Sequence, residues 1–338
     1  MRGVIGNVAA QRHLAHAAAS GQVAHAYLLT GPESIGKTTL AMEFARLLLC
    51  ESPDAEAGSA CGECVSCRKI AHGTHPDVQL IEPRDGKRQL GVDVVREEVV
   101  RMANRAPSEG SRRVFVIPNA ELMTPAAVNA LLKTLEEPPE GVVLLLTSAE
   151  PENLLPTMLS RCQIIPLQGI ASTALVEALT ERMGISREDA TQLAGLANGR
   201  LGWALRTAEH PELREERERR LEQVIGLTSA TKDARLRAAG ALGSDVESAR
   251  ATLEVWIWWW REVTLAACGA AHLTSRGDAR RAAERVGKQI GQARADAFLR
   301  ALLAARAALD QNASPRLTFD VLMLDLPTVH GGQAAPLR

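Results

Sequence analysis

The stretch AYLLTGPESIGKTTLAMEFARLLLC, residues 26–50, carries three local signals in unbroken succession. Ala26–Thr30 is a short apolar run that reads as a buried strand, Gly31–Gly36 is a turn-forming segment, and from Lys37 onward good helix formers run without Gly or Pro. Strand, glycine-bearing loop and helix is the order in which a phosphate-binding loop is built. Gly31 to Thr38 satisfy G-x-x-x-x-G-K-[ST] at every position. The glycines let successive backbone N–H groups curl toward phosphate oxygens, and the N-terminus of the following helix adds its positive dipole end. Lys37 is placed to reach the β- and γ-phosphates, and the Thr38 hydroxyl to join a Mg2+ shell. Gly31, Pro32, Ser34, Ile35, Gly36, Lys37, Thr38 and Thr39 are therefore the expected residues for binding ATP with Mg2+.

Outward from this loop, DVQLIEP (77–83), RRVFVIPNA (112–120) and GVVLLLTSA (141–149) read as further strands. Helical patterns lie between them. NVAAQRHLAHAAAS (7–20) is stopped by Gly21, and GVDVVREEVVRMANRA (91–106) has apolar residues three and four apart. TPAAVNALLKTLEEPP (124–139) has Thr124 as N-cap, Pro125 at the first helical position and a Pro-Pro stop. Continuous apolar strands alternating with helices predict a parallel sheet covered on both faces. After Gln168 the strand signals end. Residues 170–208 read as short helices broken at Gly184, Gly195, Gly199 and Gly202. The mixed-sign run ELREERERR (212–220) suits a solvated helix start, and the chain continues helical to about residue 326. The fold class is thus α/β plus all-α: an α/β domain over 1–167, a small helical domain over 168–208, a larger one over 209–330, and a frayed tail over 331–338.

The chain has 338 residues, with 39 Lys and Arg against 40 Asp and Glu and a formal net charge of -1. Such balance argues against a chain that grips a phosphate backbone over a wide surface on its own. The N-terminal MRGVIGNVAA has no leader pattern, and no apolar run reaches the roughly 18 residues of a membrane span, so a cytoplasmic protein is expected.

Cys50, Cys61, Cys64 and Cys67 crowd into one short excursion, with C-x-x-C-x-x-C at its end. Four thiolates suit tetrahedral Zn2+ in a closed, structural site. Reduced surface thiols and an iron–sulfur cluster are the competing readings, and no electron-transfer partner feature accompanies the second. His72 and His75 lie nearby and could replace a thiolate, but they read as solvated loop residues. At the end of the 112–120 strand a hydrolysing P-loop enzyme needs carboxylates, one for the Mg2+ shell and one beside the attacking water. Pro118 and Asn119 stand there instead, and Glu121 comes two residues too late, in the turn before the next helix. The spacing predicts a site that holds a nucleotide without hydrolysing it efficiently.

The segment Val114 to Cys162 resembles the bacterial clamp-loader proteins of the AAA+ superfamily. The resemblance is carried by Asn129-Ala130-Leu131-Leu132-Lys133-Thr134-Leu135-Glu136-Glu137-Pro138-Pro139 and by Leu159-Ser160-Arg161-Cys162. His25-Ala26-Tyr27-Leu28-Leu29 and the four-cysteine insert fit the same family. The likeness is dense over residues 3–168. It implies a RecA-like AAA+ domain with a zinc-binding insert, a helical lid, and a C-terminal helical collar through which subunits join in a ring. It also implies that Arg161 acts as an arginine finger in trans, and that Thr147 or Ser148 stands at the γ-phosphate sensor position. The gamma/tau motors of the family carry Asp-Glu where Pro118-Asn119 stand here, so the chain is more similar to the non-hydrolysing delta-prime family. The lid position that holds a motor's arginine falls on Gly202, with Arg200 out of register. The implied partners are gamma/tau and delta subunits, the sliding clamp, and primed DNA through the assembled complex. A self-sufficient gamma/tau-type motor and a stand-alone zinc-bearing nucleotide sensor are the alternatives.

In Trp256-Ile257-Trp258-Trp259-Trp260, residues Trp256, Trp259 and Trp260 share a helix face with Val263, a stripe that suits a core. Trp258 points elsewhere, toward another helix or a subunit interface. A stacking platform for single-stranded nucleic acid is the competing use.

Overall fold

The computed structural model describes residues 1, 4–54, 56–84, 87–271, 278–311 and 313–329. The expected tail over 331–338 lies outside the described residues. The chain divides into two units, Met1–Arg206 and Thr207–Arg338.

The first unit begins with α1 (Val8–Ser20), closed by Gly21 in the left-handed region, and β1 (Ala26–Thr30). Next come α2 (Lys37–Leu48), α3 (Val65–Ala71) and β2 (Val78–Leu80). α4 (Val92–Val94) and α5 (Arg101–Ala103) flank a π-helical stretch, Val95–Val100. There the Arg101 N–H donates five residues back, to Arg96 O, so the expected regular helix over 91–106 is widened in its middle. β3 (Arg113–Ile117) precedes α6 (Pro125–Glu136), whose N-cap Thr124 accepts from the Ala127 N–H. β4 (Val142–Ser148), α7 (Pro156–Leu159) and β5 (Gln163–Pro166) complete the sheet.

All pairings are parallel and the order is β2-β3-β4-β1-β5. The phosphate loop follows β1, which lies between β4 and β5 in a five-stranded parallel sheet. Its β1, β3 and β4 are buried at every residue. Alternate residues serve opposite faces: Leu28, Phe115, Ile117, Leu144 and Leu146 pack on the α4–α7 side, and Tyr27, Leu29, Val114, Val116 and Leu145 on the α1–α2 side. Two covered faces are why these strands read as unbroken apolar runs.

Two strand expectations change. β2 is three residues long, not the 77–83 run, and β5 was not foreseen. β5 is an edge strand in which only Ile165 is buried, so its sequence has no apolar run to read.

Where β2 begins, Asp77 organises the sheet edge. Its carboxylate accepts from the N–H groups of Ser108 (2.7 Å), Glu109 (2.7 Å) and Gly110 (3.0 Å), and from Arg113 Nη2 (3.0 Å). Arg113 also donates to Met102 O and Ala106 O. Burial pushes the Asp77 carboxyl up, but these donors outweigh it and hold it down at about 2.

α8 (Ser172–Met183), α9 (Arg187–Ala197) and α10 (Leu201–Glu209) follow. Gly184 ends α8, whereas Gly195 and Gly202 lie inside α9 and α10 and break neither. The link into α8 is pinned by Asn7, which donates to Gln168 O (3.0 Å) and accepts the Gln168 N–H (2.8 Å).

The second unit holds α11 (Pro211–Ser229), α12 (Lys232–Leu242), α13 (Val246–Ala267), α14 (Asp278–Ile290), α15 (Gln292–Asp310) and α16 (Pro315–Asp325). Trp256, Trp259 and Trp260 are fully buried, Trp256 edge-on to Phe319 and Trp259 edge-on to Trp260. Rings so enclosed cannot stack on bases, which removes the nucleic-acid platform reading. Trp258 lies under the Arg217 guanidinium, 5.1 Å from its ring centre. The charge run at the start of α11 forms pairs along the helix such as Arg214–Glu218 (3.0 Å). Arg235 is buried with no carboxylate partner among the described residues, and donates to Leu227 O (2.8 Å), Thr228 O (2.8 Å), Leu326 O (2.5 Å) and Pro327 O (3.3 Å). It ties the ends of α11 and α16 to α12.

Two stability measurements test these nodes. Asp77 is depressed from an ordinary 3.8 to about 2, so it stabilises the fold above the unfolded value and ceases to as pH falls toward 2. The Tm gap between wild type and Asp77→Asn should therefore narrow between about pH 4 and pH 2. In urea titrations followed by tryptophan fluorescence, Arg235→Met should cost at least about 3 kcal/mol, since each buried carbonyl left unpaired costs roughly 1–3 kcal/mol.

Candidate functional site

The phosphate loop leaves β1 at Gly31, where φ is 139° and an added Cβ would stand 2.3 Å from Leu167 O. Only glycine fits. The Gly31 N–H donates to Ser148 O at the end of β4 (3.2 Å). Ser34 is left-handed (φ 61°), as is Gly36 (φ 98°), and these reversals produce the curl that the motif implies. Pro32 is exposed, Ile35 is packed into the apolar layer, Thr38 is half-buried and Thr39 is exposed on the first turn of α2. Lys37 is 6% exposed and its Nζ donates to Gly31 O (2.7 Å) and Pro32 O (2.9 Å). Burial pushes the ammonium pKa down, and the charges of Glu121 and Glu33 oppose that. All eight residues expected to bind nucleotide therefore lie on one loop and helix start.

Beside the loop stand the ends of β3 and β4. Asn119 is left-handed (φ 49°) and its N–H donates to Thr147 Oγ1 (3.1 Å); Thr147 and Ser148 are both buried. A 3-10 turn over Ala120–Leu122 then brings Glu121 back to the sheet, where its Oε1 accepts the Ala149 N–H (2.9 Å). Spacing along the chain had left Glu121 outside the site. The reversal at Asn119 was the available signal, since Asn tolerates this conformation better than most residues.

Of the helices after Gln168, α10 also reaches the loop. The Gly202 N–H donates to Ser34 O (2.8 Å), and a Cβ at 202 would stand 2.9 Å from that oxygen. One turn further along α10, Arg206 Nη2 donates to Ser34 Oγ (2.7 Å). Register pointed to Gly202 and passed over Arg206, four residues on and on the same helix face. Arg200 turns away, onto the Trp203 ring (5.8 Å to its centre).

Arg161 follows α7 and is 33% exposed on its side chain; Nη2 pairs with Glu136 Oε1 (2.8 Å) and Nη1 donates to Thr157 O (2.9 Å). Cys162 beside it is an inert packing thiol, which burial pushes up to about 11.

The four cysteine sulfurs lie within 4.8 Å of one another. Cys50 and Cys61 Sγ are 3.5 Å apart, and Cys61 and Cys67 Sγ 3.9 Å. Four sulfurs at about 2.3 Å from one tetrahedral ion are roughly 3.8 Å apart, so the cluster fits a metal. The N–H groups of Cys64 and Glu63 hold the Cys61 thiol down at about 6, while burial pushes Cys67 up. His75 is not a solvated loop residue: it is buried, and its Nδ1 accepts the Asp77 N–H (3.1 Å). His72 is exposed as expected.

Compared with known proteins, residues 6–171 match the family described as "DNA polymerase III, delta subunit". The chain is similar to DNA polymerase III subunit delta' of Pseudomonas aeruginosa, with 44% identity over 178 residues, 52% of this chain and 53% of that one. It is 37% identical to the Escherichia coli subunit delta' over 186 residues, 55% of each chain. It is 33% identical to subunit tau of Bacillus subtilis over 207 residues, 60% of this chain and 36% of that one. The chain spans about half the length of the curated delta' relatives it matches. Among solved structures, a gamma subunit-related protein of Thermotoga maritima aligns over 92% of this chain and 97% of its own, with TM-score 0.45 and 17% identity.

Elemental analysis of the purified chain checks the cysteine cluster. One metal ion per chain is expected, Cys64→Ser should carry well under one, and chelation should lower Tm because binding and local folding are coupled.

Proposed function

Because residues 6–171 belong to the DNA polymerase III delta-subunit family, we propose that this chain is a delta-prime-type, stator-like subunit of a replicative clamp loader. It binds ATP without hydrolysing it, presents Arg161 to ATP held by a neighbouring subunit, and helps load the sliding clamp on primed DNA. The observation that carries this reading is the end of β3. Pro118 and Asn119 occupy the positions where a motor has carboxylates, and Asn119, bound through its backbone to Thr147, offers no group that accepts a proton from water. Arg161 supports the trans role. Its guanidinium is partly exposed, and its bonds to Glu136, Thr157 and Ser160 leave other N–H donors to fork onto phosphate oxygens.

Zinc is the metal that four thiolates in a closed tetrahedral set favour, and its role there is structural. The partners are gamma/tau and delta subunits and the clamp, joined through the helices over 209–330 acting as a collar, with the helices over 168–208 as the lid. A formal net charge of -1 leaves contact with DNA to the assembled complex. The compartment is the cytoplasm. The intact phosphate loop favours one second reading, a gamma/tau-type motor.

Reconstitution with motor and clamp-opening subunits separates the two. Arg161→Ala should slow hydrolysis at the site it serves by roughly 10³-fold and depress clamp loading, on the scale of arginine fingers elsewhere. A mutant complex as fast as wild type would refute the trans role. Steady-state turnover by the isolated chain that Lys37→Ala abolishes would establish the motor instead.

A further inference from the structure

Counted along the sequence, the end of β3 has no acid where a motor would carry one; counted in space, Glu121 stands there. The chain reverses at Asn119, whose carbonyl accepts the Leu122 N–H (2.8 Å), and this tight turn swings Glu121 across to the end of β4. Its Oε1 accepts the Ala149 N–H (2.9 Å). The preceding residue, Ser148, accepts the Gly31 N–H (3.2 Å) through its carbonyl, and Gly31 O accepts Lys37 Nζ (2.7 Å). Carboxylate, loop entrance and ammonium thus follow one another across three adjoining contacts. Glu121 Oε2 is buried and has no hydrogen-bond partner among the described residues. A buried carboxylate oxygen in that state is costly unless something of positive charge belongs beside it. The other acid of the loop, Glu33, is exposed.

We propose that Glu121 is the acidic residue of this site and contributes, with the Thr38 hydroxyl, to holding the Mg2+ of a bound Mg2+–nucleoside triphosphate. The donor set suits the ion: Mg2+ takes oxygen ligands, commonly one or two carboxylates completed by phosphate oxygens and water. The charge of Glu121 also favours the ammonium form of Lys37 against the cost of its burial. The assignment is for holding the metal and leaves hydrolysis out. It rests on the reading that the phosphate loop binds nucleotide.

The test is titration of the full-length chain with a fluorescent ATP analogue, in Mg2+ and in EDTA. Wild type should bind at least about tenfold more tightly with Mg2+, a difference of about 1.4 kcal/mol. Glu121→Gln, which keeps an oxygen for the Ala149 N–H, should lose most of that difference while its affinity in EDTA stays near wild type. Glu33→Gln should retain the full Mg2+ effect. Mn2+ substituted for Mg2+ gives a second readout, since its resonance in the nucleotide complex should change in Glu121→Gln and not in Glu33→Gln. Equal Mg2+ dependence in wild type and Glu121→Gln would overturn the assignment and leave nucleotide binding standing. No saturable binding by wild type in either medium would overturn both.

Discussion

Where β1 enters the phosphate loop, two stretches of backbone touch: a Cβ on Gly31 would stand 2.3 Å from Leu167 O. Much of the first unit depends on that closeness. It is available because β5, which runs into Leu167, pairs with β1, while the Gly31 N–H is tied on the other side to Ser148 at the end of β4. Gripped by both neighbours, the loop keeps its curl while the Lys37 ammonium is bonded to the loop's own carbonyls. The contact also transmits forward. Leu167 is followed by Gln168, bracketed by Asn7 at its N–H and its carbonyl, so the path into α8 is aligned from the same point.

Three of the buried cations are accommodated in three different ways. Arg113 has a true counter-charge in Asp77, reinforced by three backbone N–H groups on the same carboxylate. Arg235 has none among the described residues and spreads its charge over four carbonyl oxygens. Lys37 uses two carbonyls at close range and more distant carboxylates as counter-charge. The planar fork of arginine suits the first two, where several fixed acceptors must be met at once; the compact ammonium suits a loop that must release it to phosphate. A net charge near zero says nothing of these arrangements, because they are set by position and not by sum.

Features that depend on neighbouring residues in the chain were legible in the sequence. The phosphate loop, the strands buried on both faces, the Thr124 cap and the tryptophan stripe all announce themselves by local spacing. What escaped depends on residues far apart. β5 has one buried side chain and owes its existence to pairing with β1. His75 reads as a loop residue because nothing near it in sequence reveals that its ring nitrogen meets the Asp77 N–H under the sheet edge. Glu121 and Arg206 are offset from the expected positions by a reversal at one end and one helical turn at the other, and each reaches the loop all the same. Motif register finds residues that keep their place in the chain; it misses those that keep only their place in space.

Gly202 limits what a single substitution can do here. Any side chain at this position begins 2.9 Å from Ser34 O. An arginine introduced there would force α10 and the loop apart before its guanidinium could reach a phosphate. A hydrogen bond between two backbones thus keeps a charged side chain out of this position as firmly as a clash between two side chains would.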